Sequence, residues 1–138
     1  MYPPELVSPM RKELSGNGFT ELRTAEEVDK VLQENNDTVL VVVNSVCGCA
    51  AGAARPGVLQ AVSGASKLPA HLTTVFAGVD QEATARARAY MLPYPPSSPA
   101  IALFKGGKLV ELIERRMIEG RSAQMIAGAL QSMFDQHC

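Results

Sequence analysis

Thr38 to Val43 reads TVLVVV, and this run restricts the fold more than any other stretch of the chain. Its residues are β-branched or aliphatic, and they do not alternate with polar ones. A strand that is apolar at every position is buried on both faces, as strands are inside a largely parallel sheet covered by helices. The flanking segments fit that frame. Thr24 to Asn35 carries a capping threonine and then Glu26 and Glu27 in the first turn, which predicts a helix. After Cys47 a small-residue segment predicts a helix running through PGVLQAVSGA, kinked or split at Pro56 and Gly57. Thr73 to Val79 reads as a strand, Glu82 to Met91 as a helix and Ala100 to Lys105 as a strand. Gly106-Gly107 is a hairpin turn, with Lys108 to Ile113 as the return strand. Apolar residues at helical spacing close the chain, from Ser122 to Gln136.

This order, α-β-α-β-α-β-β-α, predicts parallel βαβ units followed by an antiparallel edge. The expected class is therefore α/β and thioredoxin-like: a mixed four-stranded sheet with helices on both faces. With 138 residues, the chain is expected to form one domain spanning 1–138.

Thirteen Lys and Arg against fourteen Asp and Glu leave a net charge of −1. No basic excess points to nucleic acid. No apolar run reaches transmembrane length, and MYPPELVSPMRKEL lacks the pattern of a secretory signal, so a cytoplasmic protein with no membrane partner is expected.

Chemistry concentrates where the apolar strand ends, in the segment VVVNSVCGCAAGAARPG. Cys47 falls at the strand-to-helix junction. There free backbone N–H groups and the positive end of the helix dipole favour a thiolate. An ordinary thiol titrates near about 8.5, and thiols in such places fall to roughly 3.5–7.5. In a reducing compartment, paired cysteines are more often catalytic or metal-binding than structural. Cys49 is the second thiol. Residues two apart on a helix point to nearly opposite sides, so a Cys47–Cys49 disulfide needs a non-helical turn, which Gly48 permits. So small a ring is strained and easily reduced. That suits exchange, isomerisation or release of a small thiol adduct, with Cys49 either resolving or supporting. The third thiol, Cys138, ends the chain after His137 and is a candidate second resolving thiol or a metal ligand with that histidine. Ahead of the third strand, Ala100 to Lys105, lies PPSSPA; thioredoxin-like proteins carry a cis-proline at this place, which here would be Pro99 after Ser98, with neighbours that offer backbone groups to an extended substrate, while Pro95, Pro96 and Pro99 equally suit an ordinary rigid loop.

The segment NSVCGCAAGAARP is similar to that of the bacilliredoxin family. So are PMRKELSGNGFTELRTAEEVDKVL, TVFAGVDQEATARAR, PPSSPAIALFKGGKLV, MIEGRSA and the terminal FDQHC. The resemblance covers essentially the whole chain. It implies a thioredoxin-like fold with Cys-x-Cys in place of Cys-x-x-Cys, and removal of bacillithiol from protein mixed disulfides. Weak disulfide isomerase activity is also implied. By that match Cys47 attacks and Cys49 is the second thiol of the motif. Bacillithiol is a co-substrate, S-bacillithiolated proteins are the clients, and neither metal nor organic cofactor takes part.

One departure from ordinary thioredoxins is that the strand behind the cysteines, TVLVVVN, carries no acid to move protons. Glu119, Glu114 and His71 are the candidates elsewhere, Glu119 foremost. Arg55, near the helix start, is a candidate cation for the thiolate or for a carboxylate of the small thiol. Two further readings stand beside this one. The first is an oxidoreductase or isomerase acting directly between protein cysteines. The second is a Cys/His metal-binding protein, although the spacing matches no usual zinc signature.

Overall fold

The computed structural model describes residues 2–33 and 36–138. At its centre is β2 (Thr38–Asn44), paired parallel to β3 (His71–Phe76) on one side and antiparallel to β4 (Ala100–Lys105) on the other. The return strand β5 (Lys108–Ile113) pairs antiparallel with β4. Beyond β3 lies β1 (Thr20–Glu21), parallel to it, which makes the order β1-β3-β2-β4-β5. The sheet therefore has five strands, not the four expected. The additional one is two residues long, too short to show any periodicity.

Burial along β2 follows the pleat. Leu40 and Val42 face the helices α1 (Pro4–Ser15), α3 (Arg55–Gly64) and α6 (Ala123–His137), packing with Leu14, Val58, Ile126 and Phe134. Val39, Val41 and Val43 face α2 (Ala25–Gln33) and α4 (Gln81–Tyr90), packing with Val28, Leu32, Ala83 and Ala87. Helices thus cover both faces, as the unbroken apolar run requires. Burying each such side chain contributes about 1.5–3 kcal/mol. A short helix, α5 (Arg115–Ile118), follows β5.

Local sequence explains the joints. The Glu27 N–H donates to Thr24 Oγ1 at 3.1 Å, and the Thr24 N–H donates to Glu27 Oε1 at 3.1 Å, closing the start of α2 reciprocally. The expected end of this helix, at Glu34 and Asn35, lies outside the described residues. Gly106 and Gly107 adopt φ of 62° and 78°, which the hairpin turn requires. The third strand is shifted from its expected range: it opens at His71 and ends at Phe76, and residues 77–79 turn away.

The expected break at Pro56 is present. A π-helical turn, Ala50–Ala54, precedes α3, and the Arg55 N–H reaches back five residues to the Ala50 carbonyl. Pro56 is the second residue of α3, and its missing N–H interrupts the run of helical bonds where the π turn passes into α3. Gly57 then lets α3 approach α6: a Cβ there would stand 2.7 Å from Ile126 Cβ and 3.0 Å from the Ala123 carbonyl oxygen. This packing fixes the helix that begins at the cysteines.

Candidate active site

Asn44, the last residue of β2, organises the turn that follows. Its Oδ1 accepts from the Ser45 N–H at 2.9 Å and from Arg55 Nη1 at 2.9 Å, while its Nδ2 donates to the Met10 carbonyl at 3.1 Å. Arg55 Nη1 also donates to the Ser45 carbonyl at 2.9 Å, and its Nε pairs with Glu13 at 2.9 Å. Only 3% of the Arg55 side chain is exposed. The cation expected at the thiolate therefore lies beneath the turn and holds its backbone. Ser45 Oγ in turn accepts from the Cys47 N–H at 3.2 Å.

Cys47 precedes the helix, and Gly48 and Cys49 are already helical. Because Cys47 is outside the helical repeat, its side chain can meet that of Cys49; both thiols are free and half-buried. Burial pushes the Cys47 pKa up. The Ser45 hydroxyl, the Ala50 N–H, and the thiol and N–H of Cys49 outweigh it, and the net shift is below the ordinary thiol value. Cys49 moves the other way. Its proton is held chiefly by the hydrogen bond to Cys47, and burial and the neighbouring negative charge add to that. Arg115 opposes this rise and Glu119 supports it. The two pKa values are thus pushed apart, which makes Cys47 the thiol that ionises first and Cys49 the donor to it. A Cβ on Gly48 would meet nothing within 4 Å, so the reduced site has no steric need for glycine there.

Arg115 is the site residue that sequence reasoning missed. Its Nη1 donates to the Ser98 carbonyl at 3.2 Å, its N–H donates to Ser97 Oγ at 3.3 Å, and its Nε pairs with Glu119 at 3.3 Å. The charge on Cys47 is the leading cause of a raised Arg115 pKa. The signal was available: β5 runs parallel to β2 through the intervening β4, so a basic pair just after β5 emerges at the cysteine end. The Ser98–Pro99 peptide is cis and Ser98 faces the same cleft as Cys47. Glu119 lines a second cleft, beside Cys49.

Of the remaining candidates, Glu114 stays at the cysteine end and the others do not. Glu114 sits at the start of α5 and pairs with Arg116 at 3.1 Å. His71 opens β3 at the opposite end of the sheet. Cys138 is also at that far end: the His137 carbonyl accepts from Lys105 Nζ at 3.2 Å, and Lys105 is the register partner of Thr38, where β2 begins. The structure does not bring Cys138 to the pair, because α6 carries it past the sheet in the other direction. Among the described residues no group of three or more His, Cys, Asp or Glu is arranged to hold a metal, and no helix is long and apolar enough to cross a membrane.

Solved structures share this architecture. A thioredoxin variant of Halobacterium salinarum superposes with a TM-score of 0.59 at 20% identity, covering 88% of this chain and 91% of its own. Fasciola hepatica thioredoxin superposes at 0.57 and 19% identity, covering 87% of this chain and all of its own. The fold is that of thioredoxin, with two free thiols paired at its strand-to-helix junction. Sequence relatives narrow the class. The profile of the disulphide isomerase family matches residues 2–138. A bacilliredoxin of Cytophaga hutchinsonii is 60% identical over 136 residues, 99% of each chain. One of Bacillus licheniformis is 53% identical over 137 residues, 99% of this chain and 95% of its own. The chain belongs to the bacilliredoxin family.

Proposed function

We propose that this protein removes bacillithiol from protein mixed disulfides in the reducing cytoplasm, with Cys47 attacking. The observation that carries the reading is the Cys47 thiol, its pKa lowered against burial by hydrogen bonds from Ser45, Ala50 and Cys49, at a cleft open to solvent. The naming of close relatives as bacilliredoxins supports it. The thiolate attacks the bacillithiol sulfur of a client protein. A Cys47–bacillithiol disulfide forms, the client–bacillithiol disulfide breaks, and the client sulfur leaves with the electron pair as a thiolate. No net oxidation occurs. A second thiol then frees Cys47. If Cys49 does so, bacillithiol leaves as a thiol and a Cys47–Cys49 disulfide remains for an external thiol reductant to open. If a second bacillithiol does so, the product is bacillithiol disulfide. Neither route needs a metal or an organic cofactor.

The test is intact mass of the reduced Cys49→Ala variant after mixing with an S-bacillithiolated test protein, with an S-glutathionylated one as control. One bacillithiol on Cys47, gained much faster than glutathione, is the expected result. No adduct, or an adduct on Cys138, overturns the assignment. The description of the matching family as disulphide isomerase favours a second reading, direct exchange between protein cysteines. Under that reading the wild-type protein reactivates a scrambled multi-disulfide substrate without any small thiol.

A further inference from the structure

A cleft of ≈ 280 Å³ opens beside Cys47, lined by Tyr2, Ser45, Ser98, Arg88 of α4 and Arg115 among others. Two guanidinium groups from different elements thus face one space with the nucleophile. Their bonding differs. Arg115 is tied to Ser98 and Glu119. Arg88 is not tied: its Nε is buried and makes no hydrogen bond, and among the described residues no carboxylate pairs with it. Arg11, Arg23, Arg55, Arg86 and Arg116 all have an acidic partner. Burying a guanidinium donor without an acceptor is unfavourable, and burial alone pulls the Arg88 pKa down. An acceptor arriving with a ligand removes that penalty. A guanidinium fork fits a carboxylate best, by paired charge-assisted hydrogen bonds. The cleft is too small for a folded client but suits part of a small thiol.

Resting on the exchange reading above, we infer that Arg88, with Arg115, forms a carboxylate-binding site that seats the acidic portion of the small thiol while its sulfur is attacked by Cys47. Ser98 bounds the same cleft and Tyr2 walls it from the N-terminal side. Selection among small thiols is then made by charge at Arg88, apart from the chemistry at sulfur.

The test measures transfer to Cys47 in the Cys49→Ala background. One test protein is blocked in turn with bacillithiol, with glutathione, with 3-mercaptopropionate (a carboxylate) and with 2-mercaptoethanol (neutral). Arg88→Gln is expected to lower the ratio of the 3-mercaptopropionate rate to the 2-mercaptoethanol rate by about tenfold, as loss of a charge-assisted pair implies. Arg88→Lys, which keeps the charge but not the fork, is expected to recover part of that ratio. Two results overturn the inference: an unchanged ratio, or both rates falling together, which would mark Arg88 as structural. The parent reading fails separately. If the ratio depends on Arg88 but bacillithiol has no advantage over glutathione, the carboxylate site stands and the bacillithiol assignment falls. If bacillithiol is favoured equally with or without Arg88, the reverse holds.

Discussion

The two ends of the sheet hold the same kinds of residue and treat them differently. At the end where β2 finishes are Cys47, Cys49, Glu119 and Arg115. At the hairpin end are Cys138, His137 with Glu111 at 3.0 Å, and His71 with Asp37 at 3.8 Å. The seven residues of β2, at about 3.3 Å each, separate the ends by about 20 Å. Cys47 stands before a helix, where the backbone offers N–H groups, and a serine hydroxyl and a second thiol add to them. Cys138 stands after one, where the exposed backbone groups are carbonyls; its own N–H is used on the Phe134 carbonyl. A thiol becomes a nucleophile by the donors around it, and a cysteine count alone does not say which end supplies them.

Four substitutions distinguish the two ends. Cys47→Ser has the largest effect: transfer of a small thiol from a blocked test protein falls to the uncatalysed rate, read by intact mass. Transfer that persists in this variant would put the chemistry at another thiol. Arg55→Met comes next. It cuts the link between Glu13, Asn44 and the Ser45 carbonyl. We expect a loss of about 2–3 kcal/mol in urea unfolding, with slower alkylation of Cys47 and unaltered alkylation of Cys138. Ser45→Ala removes one donor from the thiolate. The Cys47 pKa then moves up toward the ordinary thiol value, so at neutral pH a smaller fraction is ionised and the rate falls, while at alkaline pH the rate approaches that of the wild type. A pH–rate series with a neutral alkylating agent reads both limbs. Cys138→Ser has the smallest effect, with transfer and its pH dependence matching the wild type.

Much of the fold was legible because the central strand left little choice. An unbroken apolar run needs cover on both faces, and the helices between strands supply it on the two sides seen. The hairpin was legible from Gly106-Gly107, and the break in the cysteine helix from Pro56. Legibility failed at α1, a twelve-residue helix that carries Pro9 inside it and was not expected, and where elements were short or their role was tertiary. β1 has two residues, and its existence depends on α1 and β3 rather than on its own pattern. At the site, Cys47 and Cys49 could be read from their place after the strand. The contribution of Arg55 could not, because Asn44, Ser45 and Glu13 converge on it from two elements. Arg115 required tracing two antiparallel steps to learn which end β5 finishes at. Arg88 required knowing that no carboxylate pairs with it among the described residues, which no local pattern reveals.

On this reading the fold activates Cys47 and not the other thiols. Its most direct test is pulsed alkylation of the fully reduced wild-type protein with iodoacetamide, from about pH 5 to about pH 9, with peptide mass spectrometry resolving the three cysteines. Cys47 is expected to react first, with a midpoint below the ordinary thiol value of about 8.5, while Cys49 titrates above its own ordinary value. Faster labelling of Cys138 than of Cys47 at neutral pH, or a Cys47 midpoint at or above about 8.5, would contradict it.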